Sequence, residues 1–232
     1  MLIRALAVTA IYGGIMIAFN LLESGKLEPF RQAIAKFEFE DGINTASGDA
    51  KNIKQNLQVT GTNPAARTVI QKIKNIVTES QIIQGYAFIN QVVGVRIALY
   101  RDGGHYDWHV DSPFMNGVRT DLSFTIFLSE PNTYDGGELL LDSDGRMQKF
   151  KGEAGQIIVY PTGRLHKVNP VTRGERLVVV GWINSHVRSE EDRSTLYKLG
   201  AEVNRLKKLV EDPSELDQLN YISMNLRRRL AD

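Results

Sequence analysis

Residues 93 to 113 read VGVRIALYRDGGHYDWHVDSP, and the period of this stretch decides the fold. Val93, Val95, Ile97 and Leu99 alternate with other residues, which is the period of a half-buried strand and not of a helix. Gly103 and Gly104 break the run, and "HYDWHVD" resumes an extended pattern. From about Val92 onward the strand-like runs are "VGVRIALYRD", "HYDWHVD", "DLSFTIFLS", "GGELLLD", "QIIVYP", "LHKVNP" and "ERLVVVGWIN". Gly, Pro, Asn and Asp separate them, and no helical spacing intervenes. Short strands at this density predict a β-sandwich or barrel.

Helical patterns flank the block. In "SGKLEPFRQAIAKF", Leu27, Phe30, Ile34 and Phe37 recur at helical spacing. "EDGINTASGDA" is rich in turn residues, and "IKQNLQV" alternates as a short strand. "NPAARTVIQKIKNIVTES" predicts a helix capped by Asn63, with Pro64 in its first turn and Val69, Ile73, Ile76 and Val77 on its apolar face. After Asn184, Leu196, Leu199, Val203, Leu206 and Val210 form one stripe. "EDPSELDQLNYISMNLRRRL" forms another, with Asp212 and Pro213 as its start signal. Such stripes predict packing within the chain, and the terminal arginines complement a helix dipole. The fold class is therefore mainly β with flanking helices, α+β.

The chain has 232 residues, enough for one large domain or two small ones. Its net charge of +1 supplies no global field for nucleic acid or an acidic membrane. It has no cysteine, which excludes disulfides, thiolate metal sites and cysteine nucleophiles together. Any metal must be held by nitrogen and oxygen. Near the N-terminus, "ALAVTAIYGGIMIAF" is nearly uncharged but shorter than the roughly twenty residues of a membrane span. "NLLESGK" after it is a poor leader cleavage site, so a buried segment or an upstream tail is expected, with a membrane anchor or leader as the alternative.

Two of the four histidines and two acids crowd into residues 105–111 as His105, Asp107, His109 and Asp111. Alternate strand residues share a face, so His109 and Asp111 point together, as do His105 and Asp107 further along. Two ligands do not make a metal site, and a third must come from another strand. His166 stands at the head of the run "LHKVNP", and Arg176 ten residues later opens a strand whose alternate positions Val178, Val180 and Trp182 are apolar. An arginine heading a buried face needs a carboxylate or phosphate partner. Singly, each residue has an ordinary structural reading: a chance H-x-D, a hydrogen-bonded core histidine, an arginine in a salt bridge. Together they match the two-histidine, one-carboxylate triad that holds Fe(II) and leaves positions open for a bidentate 2-oxo acid and O2. The arginine would take the far carboxylate of that acid.

The stretches "YRDGGHYDWHVDSP", "RTDLSFTIFLSEPNTYDGGEL" and "YPTGRLHKVNPVTRGERLVVVGWINSHVR", with a looser match in "FEFEDGINTASGDAKNIKQNLQ", make the chain resemble the PKHD-type hydroxylases, prolyl/lysyl-hydroxylase-like Fe(II)- and 2-oxoglutarate-dependent dioxygenases. The resemblance spans about residues 16 to 230. It implies a double-stranded β-helix, or jelly roll, buttressed by N-terminal and C-terminal helices. It also implies His109, Asp111 and His166 as catalytic iron ligands, Arg176 and Tyr100 as 2-oxoglutarate-binding residues, and L-ascorbate as reductant. The expected domains are an extension at 1–15, a dioxygenase domain at 16–185 with its jelly-roll core at about 92–185, and a helical segment at 186–232 packed on it. The expected reaction consumes O2 and hydroxylates a peptidyl prolyl or lysyl, amino-acid or small-molecule substrate, releasing succinate and CO2. A cytoplasmic location without nucleic-acid or membrane partners is expected. His105 and Asp107 fall outside the triad, as rim residues or a solvated edge, and Glu138 has no assignable role. Three rivals stay open: oxidative demethylation of nucleic acid, a zinc hydrolase using His105, His109 and Asp111, and a non-catalytic metal-binding jelly-roll module.

Overall fold

A computed structural model describes residues 10–12, 16–45, 51–143 and 145–231. In chain order the elements are β1 (Ala10–Tyr12), β2 (Met16–Asn20), α1 (Ser24–Ile34), β3 (Glu40–Asp41), β4 (Lys54–Gln55), β5 (Leu57–Thr60), α2 (Pro64–Glu79) and α3 (Gln81–Ala87). The β-rich block comprises β6 (Ile89–Tyr100), β7 (His105–His109), β8 (Phe114–Met115), β9 (Val118–Arg119), β10 (Leu122–Phe127), β11 (Asp135–Gly136), β12 (Leu139–Ser143), β13 (Arg146–Phe150), β14 (Gln156–Pro161), β15 (His166–Val168), β16 (Val171–Arg173) and β17 (Arg176–Ser185). Two helices follow, α4 (Glu190–Leu206) and α5 (Asp217–Leu230).

Among the described residues, antiparallel pairing builds a larger sheet in the order β1-β2-β14-β10-β17-β6-β5-β3 and a smaller one in the order β13-β12-β15-β7-β4. The two sheets face each other. Ala98, Tyr100, Ile158, Tyr160 and Val178 of the larger sheet share one apolar cluster with Leu139, Leu141, Phe150 and Val168 of the smaller. The opposite face of the larger sheet, carrying Ile97, Phe124, Ile157 and Val179, packs on Leu27 and Ile34 of α1, Val69, Ile73 and Val77 of α2 and Ile83 of α3. The larger sheet is thus buried on both sides, which is why β14 reads as an apolar run and every residue of β10 is buried although Ser123 and Thr125 alternate with its apolar residues. The result is the expected jelly roll with helices banked on one face.

The cap signals hold, but α1 ends at Ile34, before Phe37, and α4 ends at Leu206, before Val210. The Asn63 side chain accepts from the backbone N–H groups of Ala65 and Ala66, with Pro64 at the first helical position. Ser189 caps α4 through Asp192 N–H, and Asp212 accepts from Ser214 N–H at the turn leading into α5. Several short elements have no signal in the sequence, among them β3, β8, β9, β16, α3 and β13. The seven-residue helix α3 is capped by Ser80 and ends at Phe88 in a left-handed conformation. Strand β13 is mostly exposed, so it lacks the apolar alternation that marks its neighbours. Within the stretch expected to be an extension, β1 pairs with β2, Ala10 opposite Ala18; residues 1–9 and 13–15 lie outside the described residues. The C-terminal stripes pack less deeply than their spacing suggests. Leu196 and Val203 are buried in α4, but α5 buries no residue fully and lays the partly buried Leu226 and Leu230 against Phe88, Val187 and Leu196, with Arg227 over the Phe88 ring.

Candidate metal centre

His109 closes β7, Asp111 follows just past the strand, and His166 opens β15. Strands β7 and β15 pair with His109 directly opposite His166, so residues 57 positions apart have ring centroids 4.2 Å apart. His109 Nε2 lies 3.6 Å from Asp111 Oδ1, and His166 Nε2 lies 3.7 Å from Asp111 Oδ2. One donor atom from each residue falls within 4.8 Å of the others. The separations exceed hydrogen-bond length, yet the three donors converge.

The surroundings orient each donor. His109 Nδ1 is 2.7 Å from the Asp107 carbonyl and His166 Nδ1 is 2.9 Å from the Arg164 carbonyl. A carbonyl can only accept, so Nδ1 carries the proton in both rings and Nε2 turns its lone pair to the centre. Asp111 Oδ2 accepts from Ser123 Oγ at 2.8 Å and Trp182 Nε1 at 2.9 Å. These donors stand on β10 and β17, so the larger sheet positions a carboxylate that the smaller sheet delivers. Oδ1 faces His109. Burial pushes the Asp111 pKa up, but His166, the contact with His109 and the Ser123 hydrogen bond outweigh it and hold the carboxyl well below its usual range. Burial lowers the His166 pKa against the pull of Asp111. A carboxylate with imidazole lone pairs is a donor set for a divalent cation, and two histidines with one carboxylate is the set that suits Fe(II).

The rest of the crowded stretch does not join the site. Between the pairs His166–His109 and Val168–Tyr106, β15 advances two residues while β7 advances three. This bulge breaks the strict alternation expected for the strand. It brings Tyr106, three residues before His109, flat against the His109 ring, with centroids 3.5 Å apart and planes 14° apart. His105 Nδ1 contacts the Gly103 carbonyl instead, and the Asp107 carboxylate accepts from its neighbour's backbone at Trp108. The donors His105, His109 and Asp111 are therefore not a converging set. Glu138 has a structural contact network: it pairs with Lys149 at 2.8 Å and accepts from Asn169 at 3.0 Å.

A cavity of 240 Å³ opens beside the three donors. At its floor Arg176, the first residue of β17, pairs with Tyr100, the last of β6. Arg176 is 1% exposed, with its guanidinium 5.0 Å from the Tyr100 ring and 5.7 Å from Phe127. Gly137 makes room for it. At φ +67°, with Arg176 Cδ 2.9 Å from where a Cβ would stand, only glycine fits. Arg176 Nε and Nη1 have no acceptor among the described residues, and the Tyr134 hydroxyl faces the same guanidinium. A buried cation left without an acceptor is costly, so this end of the cavity is built for an anion. The residues present thus fit both a divalent metal and a carboxylate-bearing cosubstrate. Tyr106, Ser123 and Trp182 are the site residues that sequence reasoning missed.

The comparisons with known proteins agree with this chemistry. Residues 95–184 match the 2OG-Fe(II) oxygenase superfamily, which defines the class: an Fe(II)- and 2-oxoglutarate-dependent dioxygenase. The chain is 41% identical over 192 residues to a PKHD-type hydroxylase of Prochlorococcus marinus strain MIT 9211, covering 83% of this chain and 87% of that protein. It is 36% identical over 219 residues to one of Hyphomonas neptunium, covering 92% and 97%. The chain belongs to the PKHD-type hydroxylase family. In fold alone it is similar to the crystal structure of a Pseudomonas putida prolyl-4-hydroxylase, with a TM-score of 0.53 at 21% identity, covering 74% of this chain and 92% of that one. No helix among the described residues is long and apolar enough to cross a membrane.

Proposed function

We propose that His109, Asp111 and His166 hold Fe(II), that Arg176 takes the 5-carboxylate of 2-oxoglutarate with Tyr100 beside it, and that this centre hydroxylates a peptidyl prolyl or lysyl, amino-acid or small-molecule substrate. The observation that carries the reading is Arg176, buried in the wall of the cavity that the three donors line, with Nε and Nη1 lacking any acceptor and no carboxylate paired with it among the described residues. A purely structural metal site has no use for that anion seat. The bound metal and 2-oxo acid supply the oxidising chemistry, in which O2 and decarboxylation to succinate and CO2 leave a hydroxyl on a substrate carbon. The chain's own residues bind and orient. The carbonyls of Asp107 and Arg164 fix the imidazole tautomers, and Ser123 and Trp182 hold Asp111 Oδ2 so that Oδ1 is the free oxygen. Tyr106 and Tyr160 wall the histidines from water. Burial pushes the Tyr106 hydroxyl up to about 12, so it stays protonated and offers a hydrogen-bond donor.

L-Ascorbate as reductant, a cytoplasmic location, the absence of nucleic-acid and membrane partners, and the division into 1–15, 16–185 and 186–232 belong to the same proposal. The near-neutral charge supports the exclusion of nucleic acid. The test is succinate release from 2-oxoglutarate under air with added Fe(II), first without substrate and then across peptide and metabolite panels. Succinate formation that is abolished in His166→Ala is the expected result; no succinate under any panel member would overturn the reading.

A further inference from the structure

The inner face of β6 carries Arg96, Ala98 and Tyr100. Ala98 and Tyr100 join the apolar cluster between the sheets, but Arg96 places a guanidinium on the same face. It lines the cavity, stacks 5.1 Å over the Trp182 ring and donates through Nε to the Gly94 carbonyl at 3.3 Å. Among the described residues it forms no ion pair with a carboxylate. Lys54 lines the same cavity, with Nζ 5.5 Å over the Tyr106 ring and donating one of its three protons to the Gly42 carbonyl at 3.0 Å. Asp111 is the one carboxylate among the described lining residues, against Arg96, Lys54 and Arg176. A divalent metal and a doubly charged 2-oxoglutarate cancel each other. The cavity therefore keeps an excess of positive charge after both are bound, and burial amplifies what that charge can recognise.

The cosubstrate cannot be what Arg96 awaits. In the β6–β17 register Tyr100 is opposite Arg176 and Arg96 is opposite Val180, four residues along, which is about 13 Å of strand. A five-carbon diacid has four C–C bonds of about 1.5 Å between its terminal carbons, so it spans at most about 6 Å. The Arg96 side chain also turns further from Arg176, toward the Gly94 carbonyl and the Trp182 ring, so a diacid with one end on Arg176 falls short of it.

We propose that Arg96, backed by Lys54, is a recognition site for a carboxylate of the primary substrate. The enzyme then acts on an acid, either a free or chain-terminal carboxylate or an aspartate or glutamate side chain. The inference rests on the reading of Arg176 as the cosubstrate's anchor. The test uses the protein loaded with Mn(II) and saturated with 2-oxoglutarate, and measures binding through the relaxation of acetyl protons near the metal. The probes are N-acetylglycine against N-acetylglycinamide for a terminal carboxylate, and N-acetylglutamyl amide against N-acetylglutaminyl amide for a side-chain one. At least one acid should bind about tenfold tighter than its amide, the worth of one charge-assisted hydrogen bond. The acid that binds identifies the source. Arg96→Gln should erase the preference and Arg96→Lys should keep most of it. Equal affinities of acid and amide in both pairs, or no binding of either acid, overturn the proposal in the unmutated protein, whatever the fold of the variants. A loss of 2-oxoglutarate affinity in Arg96→Gln as large as in Arg176→Gln also overturns it, because Arg96 would then serve the cosubstrate. If instead Arg176→Gln leaves 2-oxoglutarate affinity unchanged, the underlying reading of the pocket fails, and the saturation step shows this before any probe is added.

Discussion

Trp182→Phe is the perturbation that most directly probes how the larger sheet positions the metal-binding carboxylate. The substitution keeps a ring for Arg96 to stack on and removes one indole N–H, the 2.9 Å donor to Asp111 Oδ2. Ser123 Oγ at 2.8 Å remains on the same oxygen. The Asp111 side chain is 10% exposed, so water replaces the lost donor poorly. A hydrogen bond to a charged group is worth about 1.5–3 kcal/mol, and losing an outer partner of a metal ligand typically costs about 10–100-fold in metal affinity. With one of two donors retained, the lower end applies: about tenfold, or about 1.4 kcal/mol. The assay is Mn(II) affinity by calorimetric titration, with thermal melting of the metal-free protein as the measure of fold. Ser123→Ala should cost a similar factor. The double variant should cost more than the two single losses combined, because each donor partly covers for the other. An unchanged Mn(II) affinity in both single variants and the double variant would refute the claim that these hydrogen bonds orient Asp111.

His109→Ala and His166→Ala should each lose bound iron after dialysis, since two remaining ligands hold it poorly; full occupancy by metal analysis would count against the triad. Arg176→Met should weaken 2-oxoglutarate binding by the equivalent of about 3–5 kcal/mol while iron stays in place. Because the guanidinium lacks acceptors for Nε and Nη1, the same variant should melt no lower than the parent when ligand-free, and a large drop in melting temperature would show that Arg176 has a structural role instead. Glu138 gives a pH prediction. Burial opposes the shift, but the Lys149 and Asn169 hydrogen bonds outweigh it and lower the pKa from 4.5 to about 2. A depressed carboxylate stabilises the fold fully above its unfolded value near 4.5, and that contribution disappears as pH falls through about 2. The stability gap between the parent and Glu138→Gln, followed by circular dichroism, should close across that window; a gap independent of pH would contradict the assignment.

The strand block, the capped helix α2 and the grouping of His109, Asp111, His166 and Arg176 were all legible in the sequence. Each rests on a local property: a period of two, an Asn-Pro start, or a residue type too polar for the face it heads. What the tertiary structure decided depends on register between distant strands, which no local period encodes. A bulge in β7 turned Tyr106 rather than Asp107 toward the metal donors. The pairing of β6 with β17 set Arg96 far from Arg176 along the cavity, and the packing of the two sheets brought Ser123 and Trp182 onto one oxygen of Asp111. Trp182 reads in sequence as an apolar core position, and its indole N–H gains a role only when another sheet delivers the acceptor. The short helix α3 and the exposed strand β13 escaped for the complementary reason: their stability comes from packing and pairing with neighbours, not from a pattern of their own.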